Sequence, residues 1–293
     1  MPVKKSIGLL REKGDKFYTN PIVAELCMKQ IAISIPNTDD MIVAIEPSAG
    51  NGSFIPHLKS YSKFTLFYDI EPQHPEIKQQ DFLELDVIKS VINVTNTNSN
   101  HTICFIGNPP FGRQSTLAIK FIKKSCEIAN YVCYILPNSF KKDSMKRHFP
   151  LNYHLIHQND IIINGFIVNE KPHDVPCVFQ IWERRDHNRD EPVKLTPKGF
   201  KFVKKNDNPD VSFRRVGVNA GKVSRDIENK SEQSHYFIKF DANANTDANA
   251  NTDANADTFI SRLNSIVFQS NNTVGPKSIS KQELMVGWFG IQH

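Results

Sequence analysis

Up to about residue 186 the chain alternates short runs of β-branched and aromatic residues with segments of helical period, the pattern of a parallel α/β sheet. Residues 21–34 read as a helix, with Ile22, Val23, Leu26, Ile31 and Ile33 on or near one side. Residues 41–46 read as a strand, 53–61 as a helix and 64–69 as a strand, with a short third strand ending ahead of Asp81. The apolar run 101–108 is a buried strand, 115–129 a helix, and 131–136 another buried strand closed by Pro137. Runs at 155–163 and 177–183 complete the set and, joined by a loop, are open to antiparallel pairing. Further on, 259–268 and 280–289 again look helical. Ser280 stands three residues before Glu283, the spacing of a capping box.

The pattern divides the chain into an α/β region, 1–186, and a smaller α+β region, 187–293. Between residues 194 and 225 nine Lys or Arg stand against two acids, with Phe200, Phe202 and Phe213 interleaved. Two readings stay open. The segment is an electrostatic footprint for nucleic acid, with Lys204, Arg214 and Arg215 as candidate contacts, or it is a solvated basic face whose aromatics belong to a small core. Residues 241–258 form a six-residue repeat of Asp, Ala, Asn and Thr. With no large apolar residue it can bury nothing, so a disordered surface loop is expected there.

Composition bounds the rest. With 293 residues, 39% of them hydrophobic and 23% charged, the chain can hold one large domain plus an appendage and bury a sizeable core. A net charge of +5 makes an anionic partner plausible. Five cysteines are an odd, widely spaced set without a CxxC pair, and three lie in apolar runs. They read as buried free thiols in a reducing intracellular compartment, cytoplasm or nucleus, and as neither a disulfide nor a metal framework. The first residues lack the apolar core of a signal peptide, and no run approaches the length of a membrane span.

Candidate chemistry concentrates where apolar strands end. The strand 101–107 runs into Asn108-Pro109-Pro110-Phe111. Two prolines fix two φ angles and remove two donors, leaving a stiff turn with free carbonyls. A side-chain amide, a rigid carbonyl and an aromatic face are thus presented together at the carboxyl end of a strand, where open α/β sheets bind ligands. The arrangement suits a planar group carrying an NH2, such as a nucleobase amine. After the first strand comes Glu46-Pro47-Ser48-Ala49-Gly50-Asn51-Gly52-Ser53-Phe54. Gly50 and Gly52 permit a sharp turn and close approach of a ligand ahead of a helix N-terminus. Asp69 ends the next strand, nineteen residues after Gly50, where an acid can accept both hydroxyls of a ribose. Asp81 and Phe82 follow the third strand, positioned for an adenine amine and a purine face.

With these residues in place, the chain resembles the S-adenosylmethionine-dependent amino-methyltransferases, in particular the adenine-N6 enzymes. The resemblance covers roughly residues 15–183 and rests on five motifs in order. Residues Asp15-Lys16-Phe17-Tyr18-Thr19-Asn20-Pro21 resemble the family's N-terminal cofactor motif, with Asn20 inserted before the proline. The Glu46, Ser48, Gly50 and Gly52 loop resembles its glycine loop, Asp69 with Ile70 the ribose-binding position, Asp81 with Phe82 the adenine pair, and Asn108-Pro109-Pro110-Phe111 the catalytic motif. Their order resembles the arrangement called gamma. The resemblance implies a Rossmann-like class I methyltransferase fold over 1–186, S-adenosylmethionine as cofactor and no metal. Tyr18, Thr19, Glu46, Ser48, Gly50, Gly52, Asp69, Ile70, Asp81, Phe82 and Asn108 would be its cofactor residues. The implied reaction is in-line transfer to adenine N6, with the Asn108 oxygen and Pro109 carbonyl accepting the amine hydrogens and Phe111 stacking on the base, a contact of roughly 1–3 kcal/mol. Residues 187–293 would serve substrate recognition.

For the opposite wall of a base pocket, Phe140, Phe166 and His173 are candidates. DNA is the first choice of substrate, with RNA a second arm because the C-terminal region is short for a sequence reader. A protein glutamine, or a base other than adenine, is a further target that similar motifs serve. From a different class, the chain could be a binding subunit that works only with a partner chain.

Overall fold

The computed structural model describes residues 17–35, 41–95, 101–161, 165–168, 170–241, 252–268 and 277–290. The chain divides into two compact units, 1–190 and 191–293. The first residues of the N-terminal motif, the end of the run 155–163 and most of the six-residue repeat lie outside the described residues.

The first unit starts with β1 (Tyr18–Thr19) and α1 (Pro21–Ser34). Asn20, the inserted residue, is the N-cap of α1: its side chain accepts from the Ile22 N–H at 3.0 Å. Pro21 then fills the first helical position, where a missing N–H is harmless. The helix buries Val23, Ala24, Cys27, Met28 and Ile31, a stripe that recurs every three to four residues. Ile22, Leu26 and Ile33, expected near that side, are instead 66%, 52% and 73% exposed. With apolar residues around most of the helix, its pattern alone could not choose the inward face.

Next come β2 (Ile42–Glu46), α2 (Ile55–Tyr61), β3 (Phe64–Asp69), β4 (Lys78–Gln79) and α3 (Val87–Thr95). Then follow β5 (Thr102–Gly107), α4 (Thr116–Cys126), β6 (Tyr131–Pro137), the short α5 (Asp143–Lys146) and β7 (Tyr153–Asp160). A small hairpin, β8 (Phe166–Val168) and β9 (Lys171–His173), precedes β10 (Cys177–Arg184). The main sheet has the order β4-β3-β2-β5-β6-β10-β7. All its pairings are parallel except those of β10, which runs against both β6 and β7. Only β10 is therefore reversed, and the last pair is antiparallel. One core cluster joins α1 and α2 to Ala44, Ile106, Cys133 and Phe179. The other joins α3 and α4 to Val43, Ile45, Phe105 and Val132, the alternate residues of the same strands. Helices thus cover both faces of a doubly wound sheet closed by an antiparallel strand, the Rossmann-like class I methyltransferase fold.

Two parts of this unit escaped the sequence pattern. Helix α3 turns only Val87, Val91 and Thr95 inward, a narrow stripe. Strand β1 is two residues long and pairs with β8, Thr19 opposite Phe166, in a small separate sheet. The hairpin occupies part of what read as a loop ahead of the last strand.

The second unit is an antiparallel sheet of order β11-β14-β12-β13, formed by β11 (Phe200–Val203), β12 (Val211–Arg214), β13 (Val223–Ser224) and β14 (His235–Phe240). Helices α6 (Thr252–Ser265) and α7 (Lys281–Phe289) accompany it, as expected of an α+β region. The capping box forms: the Ser280 hydroxyl accepts from the Glu283 N–H at 3.1 Å, and the Glu283 carboxylate from the Ser280 N–H at 2.7 Å. Phe200, Phe213, Ile238, Leu263, Leu284 and Trp288 make the core. Two of the three interleaved phenylalanines, Phe200 and Phe213, therefore serve packing. The repeat is also corrected in part, because α6 begins at Thr252 and takes in the last repeat unit, 253–258. Leu263 in the core and Phe259, stacked on Trp288 at 5.5 Å, anchor the helix from behind. Asp257 pairs with Arg225 at 2.5 Å. Among the described residues no helix is long and apolar enough to cross a membrane.

Candidate active site

The carboxyl ends of β2, β3 and β5 converge on a cavity of about 450 Å³ in the first unit, a size in the range of small-molecule sites. Its floor is the turn after β2. Gly50, at φ +54°, leaves room for the Tyr18 ring, which would stand only 3.0 Å from a Cβ placed there. Gly52, at φ +84°, is packed against Ile55 and His74 and shapes the turn without bordering the cavity. Both glycines adopt a conformation that other residues adopt only with strain. The Ser53 hydroxyl donates to the Thr19 carbonyl at 2.7 Å, fastening β1 over this turn.

Asp69 organises the loop from the next strand. One carboxylate oxygen accepts from the Gly50 N–H and the other from the Glu71 N–H, each at 2.8 Å. A carboxylate oxygen has two lone pairs, so each retains acceptor capacity towards a hydroxyl. Ile70, 60% exposed, borders the cavity beside it. Asp81 caps its own short turn by accepting from the Leu83 N–H at 2.8 Å. Phe82 is almost wholly buried, its ring 5.1 Å from that of Phe121 and 5.4 Å from that of Phe105. It reaches the cavity as part of the wall.

Glu46 ends β2 inside the protein, 2% exposed. Burial, reinforced by the negative charge of Asp69, holds its carboxyl well above the ordinary carboxylate range. Its Oε2 has no hydrogen-bond partner. Gly107, at φ +145°, makes room for it, because a Cβ there would lie 3.1 Å from Glu46 Cγ.

Asn108 is held from both ends. Its main-chain carbonyl accepts from the Ser48 hydroxyl at 3.0 Å, and its side-chain NH2 donates to the Phe17 carbonyl at 3.1 Å. That contact fixes which end of the amide is which. The remaining Oδ1 is buried without a partner, and no donor among the described residues reaches the Pro109 carbonyl. Among the described residues four buried side-chain polar atoms lack partners, and two of them, Glu46 Oε2 and Asn108 Oδ1, belong to residues bordering this one cavity. An unmade buried hydrogen bond costs about 1–3 kcal/mol, so a site that concentrates two is built for a ligand that supplies the partners. Past Phe111 the chain is strained as well: Gly112, Gln114 and Ser115 all have φ between +53° and +67°, a conformation common at functional turns.

The structure thus brings Tyr18, Thr19, Glu46, Ser48, Gly50, Asp69, Ile70, Asp81, Phe82, Asn108, Pro109, Pro110 and Phe111 to one cavity. The far wall differs from expectation. Phe140 lies in a 3₁₀ turn that points its ring into the core, fully buried, so it drops out as a base contact. Phe166 is likewise fully buried, edge-on to Phe17. His173 is exposed and reaches the cavity only through Phe17, whose ring centre lies 5.4 Å from its own. Phe17, Leu83, Leu117, Phe121 and Val175, outside the expected set, also line the cavity. Phe17 was in view in the N-terminal motif, but only the β1–β8 pairing turns it to this purpose. Lys204, Arg214 and Arg215 belong to the second unit.

All five cysteines are buried free thiols. Burial pushes Cys27 and Cys177 far up and Cys126 to about 12, so none of these three is poised as a nucleophile. Among the described residues no group of three His, Cys, Asp or Glu could hold a metal ion.

No protein-family model matches the chain, and no curated protein matches it in sequence. Among solved structures it is similar to the 23S rRNA methyltransferase ErmE, with 15% identity over 58% of this chain and 71% of that one and a TM-score of 0.39. It is also similar to an rRNA methylase from Streptococcus thermophilus, with 13% identity over 56% and 96% and a TM-score of 0.35. A third likeness is to TrmN from Thermus thermophilus, with 13% identity over 60% and 51% and a TM-score of 0.32. Likenesses this distant carry nothing about substrate; strand order and direction carry the fold.

Proposed function

We propose that the first unit transfers a methyl group from S-adenosylmethionine to the N6 amine of adenine in nucleic acid. The observation that carries this reading is the Asn108 side chain, on a residue that borders the cavity, whose NH2 is clamped by Phe17 while its oxygen stays buried without a partner.

The residues present fit the cofactor. The Gly50 turn lets backbone come close, Asp69 keeps acceptor capacity for ribose hydroxyls, and Ile70, Asp81 and Phe82 offer an apolar face and an acceptor for a purine. Glu46 keeps a buried carboxyl oxygen with an unmade hydrogen bond. When bound, S-adenosylmethionine supplies an electrophilic methyl group on its sulfonium.

The protein's own part is positioning and electrostatics. An adenine amine is a poor nucleophile because its lone pair is delocalised into the ring. If Asn108 Oδ1 accepts one amine hydrogen and the Pro109 carbonyl the other, the nitrogen is favoured in a pyramidal form with its lone pair localised. Ser48 and Phe17 fix the Asn108 acceptor beforehand, so little reorganisation is required. Phe111 offers a half-buried ring for the base. In a duplex the base would have to leave its stack, at a cost of a few kcal/mol.

The test offers purified protein and methyl-labelled S-adenosylmethionine to unmethylated duplex DNA, single-stranded DNA, RNA and unmethylated protein. Labelled N6-methyladenine in a nucleic-acid pool is expected, and the pool names the strand. Label confined to glutamine would move the reaction to a protein carboxamide, and no label in any pool would overturn the reading.

A further inference from the structure

We propose that the second unit carries a binding site of its own for the phosphodiester backbone of a single-stranded nucleic acid. It is a cleft of about 360 Å³ bordered by Phe202, Lys204, Arg215, Glu232, Tyr236 and Lys281. The proposal stands apart from methyl transfer and holds whatever reaction the first unit performs.

The cleft corrects the basic-segment reading residue by residue. Arg214 does not border the cleft; its Nε donates to the Val216 carbonyl at 2.7 Å. Arg215 and Lys204 border the cleft, but the segment 194–225 does not complete it. Tyr236 comes from β14 and Lys281 from the first position of α7. The sheet register explains the meeting: Phe202 faces Ile238 across the β11–β14 pair, which places Tyr236 on its diagonal, with the two ring centres 5.6 Å apart.

The cations here are arranged unusually. Lys281 Nζ lies 4.5 Å from the Phe202 ring centre and 5.6 Å from that of Tyr236, and the Arg215 guanidinium lies 5.3 Å from Tyr236. Arg215 also bonds the Gln233 carbonyl and the Tyr236 hydroxyl, and that hydroxyl donates to the Ile279 carbonyl at 3.1 Å. None of Lys204, Arg215 and Lys281 has a carboxylate within ion-pair distance among the described residues. The one acid of the cleft, Glu232, is exposed and accepts from the Lys205 N–H. Cations held on aromatic faces keep their full charge for an incoming anion while their orientation is fixed. Three cations from three separate segments suit successive phosphates, and the Phe202 and Tyr236 rings hold Lys281 and Arg215 in place for them. A positive groove of this kind tracks the backbone of an unpaired strand. A carboxylate-rich peptide would compete for the same charges, which the polyglutamate arm of the test reads.

The test is fluorescence anisotropy with the full chain and a labelled pyrimidine-only strand of about 12 nucleotides, made once with deoxyribose and once with ribose. With uracil as its base throughout, the probe carries no exocyclic amine for the methyl-transfer site to recognise. Binding is expected to weaken steeply between about 50 and 200 mM salt. Lys281→Glu and Lys204→Glu, both at exposed positions, should each weaken it roughly tenfold and flatten the salt dependence by about one counterion. Lys89→Glu, the same charge reversal at an exposed position of α3 in the first unit, should bind like the parent. The tighter of the two strands names the sugar. Lys204→Gln, which only removes a charge at the surface, serves if a reversal variant melts early. Absence of strand binding, equal binding by parent and variants, or displacement of the strand by polyglutamate at equal charge would each overturn the proposal.

Discussion

The side-chain amide of Asn108 donates to the main-chain carbonyl of Phe17 at 3.1 Å, across 91 residues of sequence. One contact joins the turn after β5 to the residue just ahead of β1, which lies over the Gly50 turn, and it orients the amide. Replacing Asn108 by Ala should therefore abolish methyl transfer while changing cofactor affinity less than about threefold, a difference under 1 kcal/mol. Titration calorimetry beside a transfer assay separates the two, and equal loss of both would contradict the catalytic role. Asn108→Asp is the sharper variant: it keeps an acceptor but loses the donor to Phe17, so activity should fall without vanishing.

Asp69 carries a second expectation. Because its two oxygens already hold the Gly50 and Glu71 amides, Asp69→Ala removes a ligand acceptor and the brace of the loop together. Cofactor affinity should drop by tenfold or more, about 1.4 kcal/mol. Unchanged affinity would place the ribose contact elsewhere, with Glu71 the neighbouring carboxylate on the same cavity.

Gly50→Ala tests the turn by geometry. At φ +54° a Cβ is strained by roughly 1–2 kcal/mol, and here it would also stand 3.0 Å from two atoms of the Tyr18 ring. The variant should unfold at lower urea and bind cofactor more weakly, both read from the same melts with and without cofactor. A variant as stable as the parent would mean that Tyr18 moves aside freely.

These three residues also show how much was legible beforehand. Asn108, Asp69 and Gly50 were visible because strand ends, glycines and acids recur at spacings that the α/β pattern dictates, and the main sheet followed from the same pattern. The Asn108–Phe17 bond was not visible, since it depends on a two-residue strand that no periodicity can reveal. The far wall failed for a related reason: Phe140 and Phe17 are both aromatic residues near strand ends, and only the chain's path decides which one faces the cavity. The face of α1 and the helical end of the repeat were decided by packing partners distant in sequence, Leu263 in the second case.

Glu46 gives the account a pH signature. Its folded-state carboxyl binds a proton well above the ordinary carboxylate range, so above the unfolded value near 4.5 the folded chain holds more protons than the unfolded one. Stability must then fall as pH rises from there towards the folded value. Glu46→Gln removes this contribution. Melting temperatures from pH 5 to pH 8 should decline less for the variant than for the parent, and parallel declines would mean that Glu46 is ionised in the native protein.

The central claim is that this cavity methylates an exocyclic amine through the Asn108 acceptor. The direct measurement uses an oligonucleotide with a single adenine and its twin in which that base is purine, lacking only the 6-amine. Both are incubated with labelled S-adenosylmethionine and either the parent or Asn108→Ala, then digested to nucleosides for mass spectrometry. The account predicts labelled N6-methyladenine from the parent on the adenine strand, and none from the twin or the variant. Label on the purine twin, or undiminished N6-methyladenine from Asn108→Ala, would contradict it.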